Sequence, residues 1–530
     1  MIDAFADRLI ILWGWRRLFV AFVFGVASIL AFAPFNFPPV LWITLPGLVW
    51  LLDGAGTERG TIRQRLRAPF AVGWWFGFGF FTAGLHWMGS AFFVDPARDA
   101  LLVPFAIFGL PAALAIFWGL ATGLARLFWL EGWPRVLSLT LFLFLAEFLR
   151  GHILTGFPWN LLGYALAPTP LLMQSASIIG IYGLTFFAIL VFAAPAALTG
   201  NRKNSVFLSI TCCLVMLHAG FGAYRLSTAE MEPAESVRVR IVQPAIAQTE
   251  KWKPENREAI LRAYLDLSTA EGADKTGLLG ITHLIWPEVA LPYLMAEDAR
   301  TLTAIADLLP SETRLLTGAI RSQISNDGAE RDYFNSVYVI NDDGALADSY
   351  DKVHLVPFGE YLPLRPILEA IGLSPIVQSA GRFKAGRRLR PVDPGIGPPV
   401  GILICYEAIF PGLASGWEER PGWLLNVTND AWFGETIGPH QHFAQTRLRA
   451  VESGLSIVRA ANTGISAVID PFGRVDNLLS LGERSILDSE VPKAQQATIY
   501  SSYGSIFFFI YVFSAVLLLS HLIYRERQGL

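Results

Sequence analysis

The sequence predicts a polytopic α-helical membrane domain of about eight spans joined to an α/β layered domain. Three observations carry this reading. The 530-residue chain is 53% hydrophobic and 16% charged, against about 45–50% and about 25% in ordinary globular domains; its mean hydropathy is +0.44. The apolar excess falls mostly in the first ~225 residues, in runs that approach the ~20 residues a transmembrane helix needs. From Val237 onward charges become frequent and apolar runs shorten to strand length.

The same arithmetic excludes several classes. A disordered chain would be poor in apolar residues. A net charge of −3 provides no global basic field for nucleic acid. Three cysteines in this length do not make a disulfide scaffold.

Candidate spans lie at roughly 17–34, 38–53, 69–91, 101–125, 136–150, 171–199, 205–224 and 503–524, which divides the chain into a membrane domain over about 1–225, an extramembrane domain over about 237–495 and a final span. Eight spans put both termini on one side. Arg16, Arg17, Arg59, Arg63, Arg65, Arg67, Arg126, Arg135, Arg202, Lys203, Arg525 and Arg527 all fall on that side. The opposite short loops carry little: Arg98 beside Asp95 and Asp99, and Arg150. Positive residues favour the cytoplasmic face, so the 237–495 domain is expected outside the cytoplasm. Arg16-Arg17, an apolar run and Ala31-Phe32-Ala33 imitate a signal peptide; seven further spans favour an uncleaved anchor. Gly73, Gly77 and Gly79 lie in an aromatic apolar run and read as helix-packing positions. Pro104 and Pro111 are expected to kink the fourth span.

Within the second domain, Val237–Val242 alternates with period two and reads as a half-buried strand. Helical patterns over about 254–272 and 297–309, strand-like runs at His283–Trp286, Leu315–Gly318, Ser336–Ile340, Val400–Ile404 and Trp423–Val427, a helix near 439–453 and strands at Ser456–Arg459 and Ser466–Ile469 follow. Strands alternating with helices indicate a layered α/β domain long enough to bury its own core.

Cys212 and Cys213 fall inside a span and read as small apolar packing residues. Cys405 is the one cysteine of the second domain. It follows a buried-type strand, where a nucleophile is presented on a rigid backbone; a structural buried cysteine is the other reading. His440 and His442 have weak metal spacing and read as polar helix surface. His283 and His354 read as hydrogen-bonded strand or turn residues. Glu288 closes Trp286-Pro287-Glu288, after a proline that ends ladder donation. Lys352 and Glu360 lie in Asp351–Glu360 among apolar residues. Glu, Lys and Cys at three strand ends of one α/β domain suggest a converging site.

Trp286-Pro287-Glu288, Tyr350-Asp351-Lys352 with His354–Glu360, Ile404-Cys405-Tyr406-Glu407, Asn426–Gly434 and Arg459–Ser466 together resemble the carbon–nitrogen hydrolase (nitrilase) superfamily. They cover most of 237–495 in order. With eight spans around that domain, the chain resembles the apolipoprotein N-acyltransferase family; Trp252 and the loop Thr155–Trp159 also fit. The resemblance implies an α-β-β-α sandwich and a Glu288–Lys352–Cys405 triad. It implies a bacterial inner-membrane enzyme with a periplasmic catalytic domain, taking an acyl chain from a phospholipid through a Cys405 thioester to the α-amine of a diacylglyceryl-modified apolipoprotein. Glu288 would serve as base and Lys352 would face the oxyanion and lower the thiol pKa. Glu360 would hold Lys352; Glu407 would orient Glu288 or Lys352, or buttress the turn. Trp252, Asn335 and Tyr406 would line or position substrate. No metal, nucleotide or organic cofactor is expected, and the chain is expected to act as a monomer. A membrane-tethered amidase and a non-catalytic scaffold or transporter are the competing readings. The apolar stretch Tyr361–Ser379 is read either as core or as a mobile lid over the site.

Overall fold

The computed structural model describes all residues except 1, 57–59, 200–203, 231, 273–276, 326–330, 364–382 and 529–530. The expected lid or core segment therefore lies, from Leu364 on, outside the described residues. The chain divides into two compact units: Met1–Gly89 with Leu101–Ala229 and Ser502–Leu530, and Ser90–Ala100 with Glu230–Ser501.

The first unit is helical. Among the described residues, seven helices are long and apolar enough to cross a membrane: Gly14–Ala31, Pro38–Ala55, Ile62–Phe93, Pro96–Leu127, Ala176–Leu198, Ser205–Ser227 and Ile506–Gln528. The expected eighth is the helix Pro134–Arg150, whose 17 residues extend ~25 Å at 1.5 Å per residue, short of a ~30 Å hydrocarbon core. It is lined almost wholly by buried residues. Arg150, read above as a loop charge, is instead ion-paired with Glu147 at 2.7 Å. Glu147 also accepts the indole N–H of Trp118 at 2.8 Å.

The glycine expectation holds at atomic detail. A Cβ on Gly73 would lie 2.0 Å from Oγ1 of Thr122, and one on Gly79 would lie 2.2 Å from the carbonyl oxygen of Phe22. Only glycine lets these helices approach so closely. Pro104 and Pro111 flank a π-turn at Phe105–Gly109. Cys212 and Cys213 depart from expectation: both are exposed on the helix Ser205–Ser227 rather than packed. An apolar helix in lipid satisfies such residues from outside, so burial against protein is not required of them.

The second unit holds eleven strands among the described residues: β1 (Pro233–Gln243), β2 (His283–Trp286), β3 (Arg314–Ile324), β4 (Arg331–Ile340), β5 (Leu346–Asp351), β6 (Val400–Ile404), β7 (Trp423–Thr428), β8 (Ile457–Ala461), β9 (Ser466–Ile469), β10 (Val475–Leu479) and β11 (Ser485–Pro492). They form one sheet in the order β11-β1-β2-β3-β4-β5 and another in the order β10-β9-β8-β7-β6. The β1-β2-β3 and β6-β7-β8 pairs are parallel.

The core explains the layering. Val239, Ile241, Ile285, Leu316 and Val337 of the first sheet pack with Ile402, Ile404, Leu425, Val427 and Val458 of the second. On the other face of the first sheet, Leu284 and Trp286 meet Ile260, Tyr264 and Ile305, from the helices Arg257–Thr269 and Ala299–Leu308. On the other face of the second, Leu403 and Leu424 meet Ala450, from the helix Ile437–Ser453. The unit is an α-β-β-α sandwich, as expected.

Strand β1 departs from its half-buried reading. Arg240 is fully buried, because Asp488 on β11 takes its guanidinium at 2.6 and 2.7 Å and the carbonyls of Ser268 and Ala270 take the rest. Alternation of charge and apolar residues here marks a buried ion pair, not a solvated face.

Candidate active site

Three strand ends deliver the chemistry-bearing residues. β2 ends at Trp286, and Pro287 turns the chain so that Glu288 follows. Val289 then adopts φ +45°, a region costly for a β-branched residue. Gly318 on β3 makes room for that turn: a Cβ there would lie 2.5 Å from Cα of Glu288 and 2.6 Å from the carbonyl oxygen of Pro287. Lys352 follows β5; its N–H donates to the carbonyl of Asn335 at 2.8 Å and its carbonyl accepts from Gly386 at 2.7 Å. Cys405 follows β6 at φ +50° and opens the tight turn Cys405–Ile409.

The side chains form one polar cluster. Nδ2 of Asn335 donates to Oε1 of Glu288 at 2.8 Å and to Oε1 of Glu360 at 2.9 Å. Nζ of Lys352 donates to Oε1 of Glu360 at 3.0 Å and stands 3.9 Å from Oε1 of Glu288. The backbone N–H of Asn429, just past β7, donates to Oε2 of Glu288 at 2.8 Å. The carboxylate of Glu360 is fixed in turn by the N–H of Val356 at 2.8 Å. Glu360 therefore sits where the sequence reading placed it, on Lys352.

Glu407 accepts hydrogen bonds from both turns. Its Oε1 accepts the N–H groups of Val353 at 2.7 Å and His354 at 3.1 Å and the hydroxyl of Tyr350 at 3.2 Å; its Oε2 accepts the N–H of Ile404 at 2.7 Å. One buried carboxylate thus ties the cysteine turn to the lysine turn. Burial pushes its pKa up to about 7, against the backbone donors and Lys352.

Lys352 acts to lower the Cys405 thiol as expected, but other effects outweigh it. The Cys405 thiol is not shifted down overall. Burial and the nearby Glu288 carboxylate push it well above its ordinary value, and Lys352 opposes them without prevailing. Burial likewise works against the charge of Lys352, but Glu360, Glu288 and Cys405 outweigh it, and the ammonium is held more firmly than usual. At neutral pH the cluster rests as a thiol beside a lysine cation.

The remaining candidates separate. Asn335 is buried in the cluster. Tyr406 is buried one residue after Cys405, its ring packed against Phe410 and His354. Trp252 is 41% exposed. His283 is buried and meets Oγ1 of Thr282 at 2.8 Å; the ring of His354 packs 4.0 Å from that of Phe410.

Sequence reasoning missed a second buried network. His442, read as helix surface, is fully buried. Its Nε2 lies 3.2 Å from the carbonyl oxygen of Cys405 and its Nδ1 lies 2.9 Å from Oδ1 of Asp430. Arg459 donates to Oδ2 of Asp430 at 2.7 Å. The signal was present in the order Asp430, His442, Arg459 within 30 residues of three strand ends, but helical polarity alone reads as solvent. Lys251 and Gln248 were also missed, and Asn429 lay in the Asn426–Gly434 motif without an assigned role.

A buried carboxylate, a lysine cation and a cysteine at adjoining strand ends can perform nucleophilic acyl transfer. Comparison with known proteins bears on the family. Residues 24–194 match the apolipoprotein N-acyltransferase N-terminal domain, and residues 238–500 match the carbon–nitrogen hydrolase family. The apolipoprotein N-acyltransferase of Rhodopseudomonas palustris is 43% identical over 96% of this chain and 95% of its own. The chain belongs to the apolipoprotein N-acyltransferase family. That of Bradyrhizobium diazoefficiens is 46% identical over 97% of this chain and 96% of its own. An amidase from Nesterenkonia sp., 19% identical, aligns over 50% of this chain and 94% of its own with a TM-score of 0.35. Membership in the family makes the chain an acyltransferase enzyme with a carbon–nitrogen hydrolase domain.

Proposed function

We propose that this enzyme moves a fatty acyl chain from a membrane phospholipid to the N-terminal amine of a diacylglyceryl-modified apolipoprotein, by way of a thioester on Cys405. The observation that carries the mechanism is the convergence of Glu288, Lys352 and Cys405 with Glu360 and Asn335 in one buried cluster.

Glu288 takes the thiol proton as Sγ attacks the ester carbonyl of the donor. The negative charge on the tetrahedral intermediate falls beside Lys352, whose cation is fixed by Glu360; a pre-positioned charge in a water-poor site is worth several kcal/mol. Collapse expels the lysophospholipid oxygen, which takes the proton from Glu288 and leaves the thioester. The acceptor amine then attacks, Glu288 takes its proton, and collapse expels the Cys405 thiolate. The thiolate recovers the proton and the amide is complete. Because the resting thiol is protonated, the nucleophile arises only as Glu288 accepts its proton, which protects an unpaired cysteine from oxidation between turnovers.

Asn335 and Tyr406 position or line the substrate in this reading, and Trp252 contacts it at an exposed position. The domain faces the periplasm of a bacterial inner membrane, with Pro134–Arg150 as a short span surrounded by protein. The arginine distribution supports that orientation. The enzyme acts as a monomer. A membrane-tethered amidase would release free acid; membership in an N-acyltransferase family disfavours it.

Intact-mass measurement after incubation with phospholipid alone tests the proposal. The expected result is one acyl mass on the wild type, removed by hydroxylamine and absent from Cys405→Ala. Lys352→Ala and Glu288→Gln should slow its formation by roughly 10²-fold or more. Full turnover by Cys405→Ala would rule out the thioester.

A further inference from the structure

The chemistry above leaves one buried cation next to Glu288 without a role. Gln248–Lys251 is a single helical turn. Gln248 and Lys251 are three positions apart, so they share a face, and both are buried, Lys251 to 1% exposure. Nζ of Lys251 donates to the backbone carbonyl of Glu288 at 3.3 Å. Oε1 of Gln248 accepts from Nδ2 of Asn429 at 2.8 Å, and the N–H of Asn429 donates to the Glu288 carboxylate. The turn therefore grips Glu288 at its backbone directly and at its side chain through Asn429.

The grip is itself anchored. The chain enters the turn through Ala245 at φ +52°. Asn462, just past β8, accepts the N–H groups of Ala245 and Ile246 at 3.0 Å each, through its carbonyl and its side chain, and donates to the carbonyl of Ile246 at 2.7 Å. Asn462 also donates to Oδ1 of Asn429 at 3.0 Å. The ends of β2, β7 and β8 are thus cross-linked through this turn.

A buried ammonium is costly without a compensating charge. Burial pulls Lys251 down to about 8, and Glu288 is the charge that opposes the fall. Below that pH Lys251 is a cation. We propose that Lys251 is a positioning residue for Glu288, its ammonium fixing the backbone turn and placing positive charge beside the carboxylate. The proposal rests on the reading of Glu288 as the base for Cys405.

The charged and titratable groups around Glu288 are Lys352 from the β5 turn, Glu360, which shares Lys352 and Asn335 with it, Cys405 from the β6 turn and Lys251 from this helix; Asn335 and Asn429 face it as neutral donors. Removing the Lys251 charge leaves fewer cations beside the Glu288 carboxylate. The acid limb of the acylation rate should move up.

The test is the rate of acyl-enzyme formation by the full-length protein from pH 5 to 8, in vesicles of phosphatidylethanolamine and phosphatidylglycerol. Lys251→Met should move the acid limb up by about one pH unit and lower the rate below the limb about tenfold. Lys251→Arg, which keeps the charge, should restore the limb. Thermal unfolding of the same samples should show the Met variant less stable, because the Glu288 carbonyl loses its donor, so rates are compared per folded molecule. Lys251→Gln serves if the Met variant does not fold. A limb superimposable on that of wild type overturns the proposal, whatever the absolute rate. A wild type that forms no acyl-enzyme overturns the reading beneath it, and the proposal with it.

Discussion

The backbone carbonyl of Cys405 lies 3.2 Å from Nε2 of His442. Because Cys405 sits at φ +50°, its carbonyl turns away from the ladder that β6 makes with β7 and needs another partner. His442 is that partner, and Asp430 and Arg459 hold the imidazole from behind.

His442→Ala should therefore disturb both fold and chemistry. It leaves the Cys405 carbonyl without its imidazole partner, at a cost of about 1–3 kcal/mol for a buried group, while Asp430 keeps Thr428 and Arg459. Thermal unfolding should fall accordingly, and acylation per folded molecule should fall further. His442→Gln, which can still donate to the carbonyl, should recover part of the acylation. Full acylation by a folded His442→Ala protein would show that the turn holds without it.

Gly318→Ala should act on Glu288 from below. The new Cβ would meet backbone atoms at 2.5–2.7 Å, and backbone cannot swing aside as a side chain can. Overpacking of this kind costs about 1–3 kcal/mol. A shift of ångström size at a proton-transfer residue costs about 10²-fold in rate. Unfolding and acyl-enzyme formation measured together should show the rate falling more than stability. Equal acylation in the variant would contradict the placement.

Acid stability should report Asp430. Burial works against its charge, but Arg459, His442 and Thr428 outweigh it and hold the pKa at about 2, below the ordinary 3.8. A depressed carboxylate contributes stability above its unfolded pKa and loses it as pH falls through the folded one. The contribution, about 2 kcal/mol by linkage, should be present above about pH 4 and vanish toward about pH 2. Asp430→Asn should lower stability near neutrality and flatten the acid fall in that window. An unchanged acid profile in denaturant melts would count against the network.

Topology gives a further check. A reporter active only in the cytoplasm, inserted at the exposed Asp343 in the turn between β4 and β5, should be silent. A reporter active only outside the cytoplasm should work there. A strong cytoplasmic signal would reverse the orientation and remove the periplasmic substrates from the account.

The sequence by itself determined the seven long apolar helices among the described residues, the strand positions of β2, β6 and β7, and the ends that carry Glu288 and Cys405. These are local properties: run length, period two or 3.6, and a proline or small turn at a strand end leave marks within a few residues. Strand β5 was not legible, because Leu346–Asp351 has neither alternation nor an apolar run, and the strand is fixed by its pairing with β4. The proposed triad was legible through motif resemblance, not through spacing, since Glu288 and Cys405 are distant in sequence. Only the tertiary structure decided which groups surround them. Lys251, Asn429 and His442 read as ordinary polar residues along the chain, and become partners of Glu288 and Cys405 once two sheets stack and bring the ends of β2, β6 and β7 together. The same stacking removes water from Cys405, so burial and Glu288 outweigh the lowering that Lys352 supplies and the thiol rises. Charge pairs can be listed from a sequence, but the desolvation that decides between them is a property of the packed interior.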